Sequence, residues 1–159
     1  MKSRHFAIAI PALLLSVAAL ASGSHGGGHG EAAIGKPGVA SKVTRTITID
    51  MRDDMKFHTS VVDAKQGETI RFIAKNSGKV KHEMVLGSME ELKEHAALMR
   101  KMPEMEHDDP NAVSVEPGKT GSLVWRFTRS GTFDFACLVA GHFEAGMLGK
   151  IDVADVARK

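Results

Sequence analysis

The sequence predicts an all-β protein, an antiparallel sandwich of seven or eight short strands with one inserted helix. Three observations point there. Apolar and polar residues alternate in short runs, turn residues separate those runs at regular intervals, and a single stretch breaks the alternation with helical spacing. Val43 to Met51 alternates, with Thr44, Thr46 and Thr48 on one face and Val43, Ile47, Ile49 and Met51 on the other. Val61–Ala64 is a shorter strand closed by the turn at Gln66-Gly67. Thr69 to Lys75 alternates through Ile70, Phe72 and Ala74, and His82–Leu86 follows the turn signal Asn76-Ser77-Gly78. Ala112–Val115, Gly121–Phe127 with Trp125, Thr132–Ala136 and Gly149–Val153 complete the set.

The exception is residues 89–102, rich in Glu, Leu, Lys, Ala and Met. Ser88 with Glu91 three residues on is a capping-box pattern, and Pro103 stops the helix. Leu92, Ala96 and Met99 share one face.

The chain has 159 residues, 43% of them hydrophobic, enough for one domain with a real core. Residues 1–21 carry the marks of a secretory signal. Lys2 and Arg4 precede an apolar run from Phe6 to Leu20, and Ala19-Leu20-Ala21 is a small-residue cleavage pattern. The run is short for a membrane span and holds Pro11, so the expectation is cleavage, no stable membrane anchor and a periplasmic location. Residues 22–41 are Gly/Ser/Ala-rich, contain His25 and His29, and read as a flexible leader. Residues 42–154 form the domain, and 155–159 a polar tail. Removing Lys2 and Arg4 from the 21 basic residues leaves 19, against 19 acidic ones. A neutral mature chain without Tyr and without a basic cluster argues against a nucleic-acid partner.

The chemistry gathers in Cys137-Leu-Val-Ala-Gly-His142-Phe-Glu-Ala-Gly-Met147. This loop carries a thiolate, an imidazole and a thioether at Cys-x4-His-x4-Met spacing, and Cys137 is the sole cysteine of the chain. An exported chain with one cysteine cannot form an internal disulfide, so a free thiol there needs an occupant. Soft thiolate, imidazole and weak thioether are the donors of a mononuclear copper electron-transfer site. The missing imidazole is assigned to His82, at the start of a strand whose end the sandwich can bring to the same loop cluster. Structural zinc usually takes paired Cys or His motifs, and thioether is a poor zinc ligand. Four cysteines would be needed for an iron–sulfur cluster. A Cys–His hydrolase would need an orienting group and an oxyanion hole that the loop does not suggest.

With these residues the chain resembles the cupredoxins, the family of plastocyanin, azurin, rusticyanin and auracyanin, from about Val43 to Val153. His82-Glu-Met-Val-Leu-Gly87, the Glu91–Met105 helix region and Met105-Glu-His-Asp-Asp-Pro110 further resemble the CopI-type periplasmic copper-tolerance cupredoxins of bacteria. The resemblance implies a Greek-key sandwich and one type 1 copper site, with His82, Cys137 and His142 as strong equatorial ligands and Met147 as the weak axial one. It implies a non-enzymatic copper protein cycling between Cu(I) and Cu(II) and contributing to copper tolerance, with copper ions and a redox protein such as a cytochrome as partners. Its alternative is a diffusible one-electron carrier between respiratory redox partners. The loop rim at His142, Phe143 and Leu148 is the expected electron port. Two positions depart from the family pattern. Glu83 stands where many members have Asn after the first ligand His, and Ala140 where many have Pro.

Further soft donors lie outside the four. They are His25 and His29 in the leader, Met51, Met55 and His58 with Asp53 and Asp54 nearby, and Met102, Met105 and His107 beyond the helix, with His95 and Met99 upstream. Each group is a candidate auxiliary copper site, weighed against core packing by methionine.

Overall fold

The computed structural model describes residues 34–156 except 104, 106 and 107. Among these residues, ten strands form two five-stranded sheets. They are β1 (Gly35–Pro37), β2 (Arg45–Arg52), β3 (Lys56–His58), β4 (Val61–Lys65), β5 (Thr69–Asn76), β6 (His82–Gly87), β7 (Ala112–Val115), β8 (Thr120–Phe127), β9 (Gly131–Ala136) and β10 (Leu148–Ala154). One sheet has the order β1-β8-β5-β2-β3 and the other β4-β10-β9-β6-β7. Among the described residues there is one α-helix, α1 (Met89–Lys101), between β6 and β7 in the chain.

The alternation seen in the sequence sets the layers. Ile70, Phe72 and Ala74 of β5, Leu123, Trp125 and Phe127 of β8, and Ile49 and Met51 of β2 turn inward and meet Phe135, Ile151 and Val153 of the opposing sheet. Each fully buried Ile or Phe contributes roughly 1.5–3 kcal/mol. A second, smaller core forms where Leu92, Ala96 and Met99 of α1 pack with Val85, Ala136 and Leu138. The helix therefore covers the outer face of β6 and β9, and all six residues of β6 are buried.

The strand count exceeds the expected seven or eight because β1 and β3 are three-residue strands too short to show a period. β1 lies within the segment expected as leader: Ile34 is fully buried and Gly35 to Pro37 pair with Phe127 to Trp125. The sheets are mixed, with β2 parallel to β5 and β4 parallel to β10. The expected signal at 1–21, the histidines His25 and His29, and residues 157–159 of the tail lie outside the described residues. Among the described residues, no helix is long and apolar enough to cross a membrane.

The start of α1 follows the expected pattern. Ser88 Oγ accepts from the Glu91 N–H, and the Glu91 carboxylate accepts from the Ser88 N–H at 2.8 Å. Replacing Ser88 with Ala is expected to cost about 1 kcal/mol of stability. Urea unfolding monitored by circular dichroism checks this, as a lower midpoint at unchanged slope.

Candidate metal centre

His82 opens β6, and Cys137 directly follows β9. These strands are antiparallel neighbours with Val85 opposite Ala136, which carries Cys137 back toward the start of β6. The chain then makes a compact loop to Met147, the residue before β10. Cys137 N–H donates to the Met147 carbonyl at 3.1 Å, extending the β9–β10 ladder by one rung. Met147 N–H donates to the His142 carbonyl at 3.0 Å, and His142 N–H to that of Val139 at 2.9 Å. Gly141 and Gly146, both at φ 88°, make the two reversals. The helix braces this loop from outside. Arg100 Nε is 3.2 Å from Glu144 Oε1, and Phe143 packs against the cluster around Met99.

The loop and β6 bring three donors together. His142 Nδ1 is 3.2 Å and His82 Nδ1 4.0 Å from Cys137 Sγ. The two rings are tilted by 51° with centroids 5.0 Å apart. The three donor atoms all lie within 4.8 Å of one another. Two metal–ligand bonds of roughly 2.0–2.3 Å, meeting at an angle, span the sulfur-to-nitrogen separations of 3.2 and 4.0 Å. His82 and Cys137 have no exposed surface, while His142 is half-buried. Met147 is also fully buried, in the same core cluster as Cys137.

Burial pushes the Cys137 thiol up to about 12, against the pull of hydrogen bonds from the backbone of Glu83 and Val139, with the Glu83 charge adding to the rise. A nucleophilic cysteine needs the opposite shift, so the hydrolase alternative finds no support here. Burial likewise lowers His142, and the neighbouring His82 adds to the effect. An imidazole that stays neutral keeps its lone pair for a metal.

The two departures from the family pattern have distinct consequences. Glu83 N–H donates to Cys137 Sγ at 3.3 Å, so the backbone ties β6 to the ligand loop. The Glu83 side chain is buried and accepts from Ser114 Oγ on β7 at 2.9 Å. Ala140 is exposed. Of the expected electron port, Phe143 and Leu148 are half-buried against the helix cluster.

The auxiliary candidates separate. Met51 is in the core, and Asp50, not Met51, is the register partner of His58. Met51 and His58 therefore point to opposite faces of the sheet. His58 Nε2 instead pairs with Asp54 Oδ2 at 3.0 Å, and Met55 packs partly into the core. Met102 is 45% exposed. Met105 follows in a turn, donating to the Met102 carbonyl at 3.0 Å, and packs against the helix cluster. His107 lies outside the described residues.

One polar residue escaped the sequence reading as a contributor to the main site. Asp53, in the β2–β3 turn, places Oδ1 3.3 Å from His82 Nε2. Its carboxyl is held below the ordinary range, first by the hydrogen bond from the Lys79 backbone. Nothing local marks it, because its partners come from a loop on the other sheet's approach. The open groove lined by Arg45, Asp63, Glu68, Thr132 and Asp152 lies at the opposite end of β9 and β10 from the ligand loop.

Comparison with known proteins agrees with this geometry. The family described as copper binding proteins, plastocyanin/azurin family, matches residues 43–154. The chain is 49% identical over 133 residues to the copper-resistant cuproprotein CopI of Rubrivivax gelatinosus, covering 82% of this chain and 81% of that protein. It is 35% identical over 175 residues to the protein of the same name from Pseudomonas aeruginosa, covering 91% of this chain and 96% of the other. Among solved structures, auracyanin B is similar at a TM-score of 0.62 and 21% identity, covering 79% of this chain and 99% of that one. A dithionite-reduced auracyanin from Roseiflexus castenholzii is similar at 0.61 and 21%, covering 70% and 98%. The auracyanin likeness speaks for the fold alone.

The burial of Cys137 has a measurable sign. Burial holds the folded thiol up at about 12, above the ordinary 9.0 of an exposed thiol. The unfolded chain thus sheds this proton first, and the metal-free fold loses stability as pH rises through that window. Thiolate ultraviolet absorption is expected to appear near pH 9 in denaturant and only toward pH 12 in the folded metal-free protein.

Proposed function

The chain belongs to the plastocyanin/azurin family of copper-binding proteins, and we propose on that footing that it binds one copper through His82, Cys137, His142 and Met147 and contributes to copper resistance in the periplasm. The observation that carries the site is a fully buried thiol with two imidazole Nδ1 atoms within 4.0 Å. The bacterial CopI proteins that match this chain over most of its length bear resistance in their names, and that supports the cellular role. Residues 1–21 serve as the export signal in this reading.

The donor set fits copper. Cys137 and Met147 offer the soft sulfur that suits Cu(I), and the two imidazoles also suit Cu(II). Copper held there supplies one-electron exchange between its two oxidation states. Cys137 surrenders its proton to solvent and acts as thiolate, while neutral His82 and His142 turn Nδ1 toward it. The backbone ladder at Cys137 and Met147 and the Glu83 and Val139 N–H groups keep the sulfur in place in either state. An oxidised redox protein such as a cytochrome is the partner class that takes up the electron, at the half-buried His142. The family is one of copper binding, not of enzymes.

The copper-loaded protein is expected to show an intense thiolate-to-copper absorption band that Cys137→Ser abolishes. A wild type without that band rejects the site. Growth in copper of a deletion strain, restored by the wild-type gene and not by Cys137→Ser, supports resistance. Unimpaired growth together with fast electron exchange with a cytochrome favours the electron carrier instead. Because the thiol proton must leave, apparent copper affinity is expected to rise about tenfold per pH unit between pH 7 and 9. Competition titrations corrected for the competitor's own protonation measure this slope, and a flat profile contradicts thiolate ligation.

A further inference from the structure

The Asp53 carboxylate occupies a place that the structure has built for it. Lys79 N–H donates to Oδ1 at 3.0 Å and to Oδ2 at 2.8 Å, and Val80 N–H lies 3.4 Å from Oδ1. The loop that offers these donors is shaped by Asn76, which is 1% exposed. Asn76 Nδ2 donates to the carbonyls of Val80 at 2.8 Å and Val115 at 2.9 Å, and its Oδ1 accepts from Gly78 N–H at 2.9 Å. A Cβ at Gly78 would collide with Oδ1 and Cγ of Asp53, so glycine there leaves the carboxylate room to take this place. The turn after β2, in one sheet, is thereby joined to the approach to β6, in the other.

The consequence falls on His82. Its Nδ1 faces Cys137 Sγ at 4.0 Å while Nε2 faces Asp53 Oδ1 at 3.3 Å. A carboxylate accepting the Nε2–H fixes the tautomer that leaves the Nδ1 lone pair toward the thiol. The ring is fully buried, so no solvent competes for that proton. A carboxylate one imidazole away from a bound ion also favours the more positive of two oxidation states.

We propose that Asp53 is a positioning residue of the metal centre: it holds the His82 ring by Nε2 so that Nδ1 meets Cys137, and its charge favours Cu(II) over Cu(I). This rests on the copper reading above. Asp53 touches the ring and not the metal, so its effects are to be read in tautomer, retention and potential.

The test compares wild type with Asp53→Asn, Asp53→Ala and Gly78→Ala. In metal-free protein, nitrogen NMR of His82 is expected to show the Nε2–H tautomer in wild type and a mixture in Asp53→Ala. In copper-loaded protein, Asp53→Ala is expected to lose copper to a chelator 10–100-fold faster while keeping its thiolate-to-copper band. Asp53→Asn keeps the size and removes the charge. It is expected to shift the Cu(I)-to-Cu(II) affinity ratio about tenfold toward Cu(I), which is about 59 mV upward for a one-electron couple. Gly78→Ala, which displaces the carboxylate without altering it, is expected to move retention and potential in the same directions. Unchanged tautomer, retention and potential in both Asp53 variants overturn the proposal, as does a lowered melting temperature with those three unaltered. If wild type shows no thiolate-to-copper band, the copper reading fails on its own, and the His82 tautomer still decides whether Asp53 holds the ring.

Discussion

A thiol with no exposed surface, set between two imidazoles at one end of a sandwich, is the constraint on which the rest of the site depends. Cys137 belongs to the same apolar cluster as Phe135, Ile151 and Met147. In that setting ionisation is opposed by burial, and the thiol stays protonated at neutral pH unless a cation takes the proton's place. The surroundings nevertheless point polar hydrogen at the sulfur, from the backbone of Glu83 and of Val139. Those donors do little for a neutral thiol and much for a thiolate. The local structure is therefore prepared for a charge state that the metal-free protein does not hold.

The precision of the arrangement comes from the ladders. Cys137 and Met147 close one more rung between β9 and β10, and Val85 opposite Ala136 fixes how far β6 slides along β9. A slip of one residue in that pairing would turn every β6 side chain to the other face and carry His82 away from the sulfur. The loop is held by its internal hydrogen bonds, by the Glu83 N–H to Cys137 Sγ and by the packing of Phe143 on the helix cluster. The geometry of the three donors is an extension of the sheet, held by the same ladders that hold the strands.

The loop Cys137–Met147 was legible in the sequence because its donors are local and their spacing is fixed by one turn of chain. His82 was legible because a histidine at the head of a strand, in a sandwich, has few other places to meet that loop. What stayed hidden depends on distant partners. A period of two gives a strand's faces and not its neighbours, so the parallel pairings of β2 with β5 and β4 with β10 could not be read. Gly35-Lys36-Pro37 looks like linker until Ile34 is seen buried and the backbone is seen paired with β8. Asp53 sits beside Asp54, Met55 and His58, which suggested a surface cluster. Its actual partners, Lys79 and Val80, lie 26 and 27 residues away, and Met51 and His58 part to opposite faces of the sheet.

The two faces of β6 are enclosed by different neighbours. In a two-layer sandwich the outer face of β6 would meet water, and alternate residues of that strand would be exposed. Here α1 lies over it, Leu92, Ala96 and Met99 fill the gap, and β6 is buried on both sides along its whole length. Met99 is spent on packing, so its thioether serves the core. His82 lies on the other face of β6, the one that Met84 and Leu86 turn toward the opposing sheet, and it has no exposed surface. Without nearby solvent, both ring nitrogens of His82 need partners within the protein. One faces the thiol of the ligand loop, and the other faces a carboxylate delivered from the opposite sheet. Facing inward between the sheets and recruiting Asp53 from the opposite one are two parts of one physical solution, because a fully enclosed imidazole has a defined orientation only when both its nitrogens are engaged.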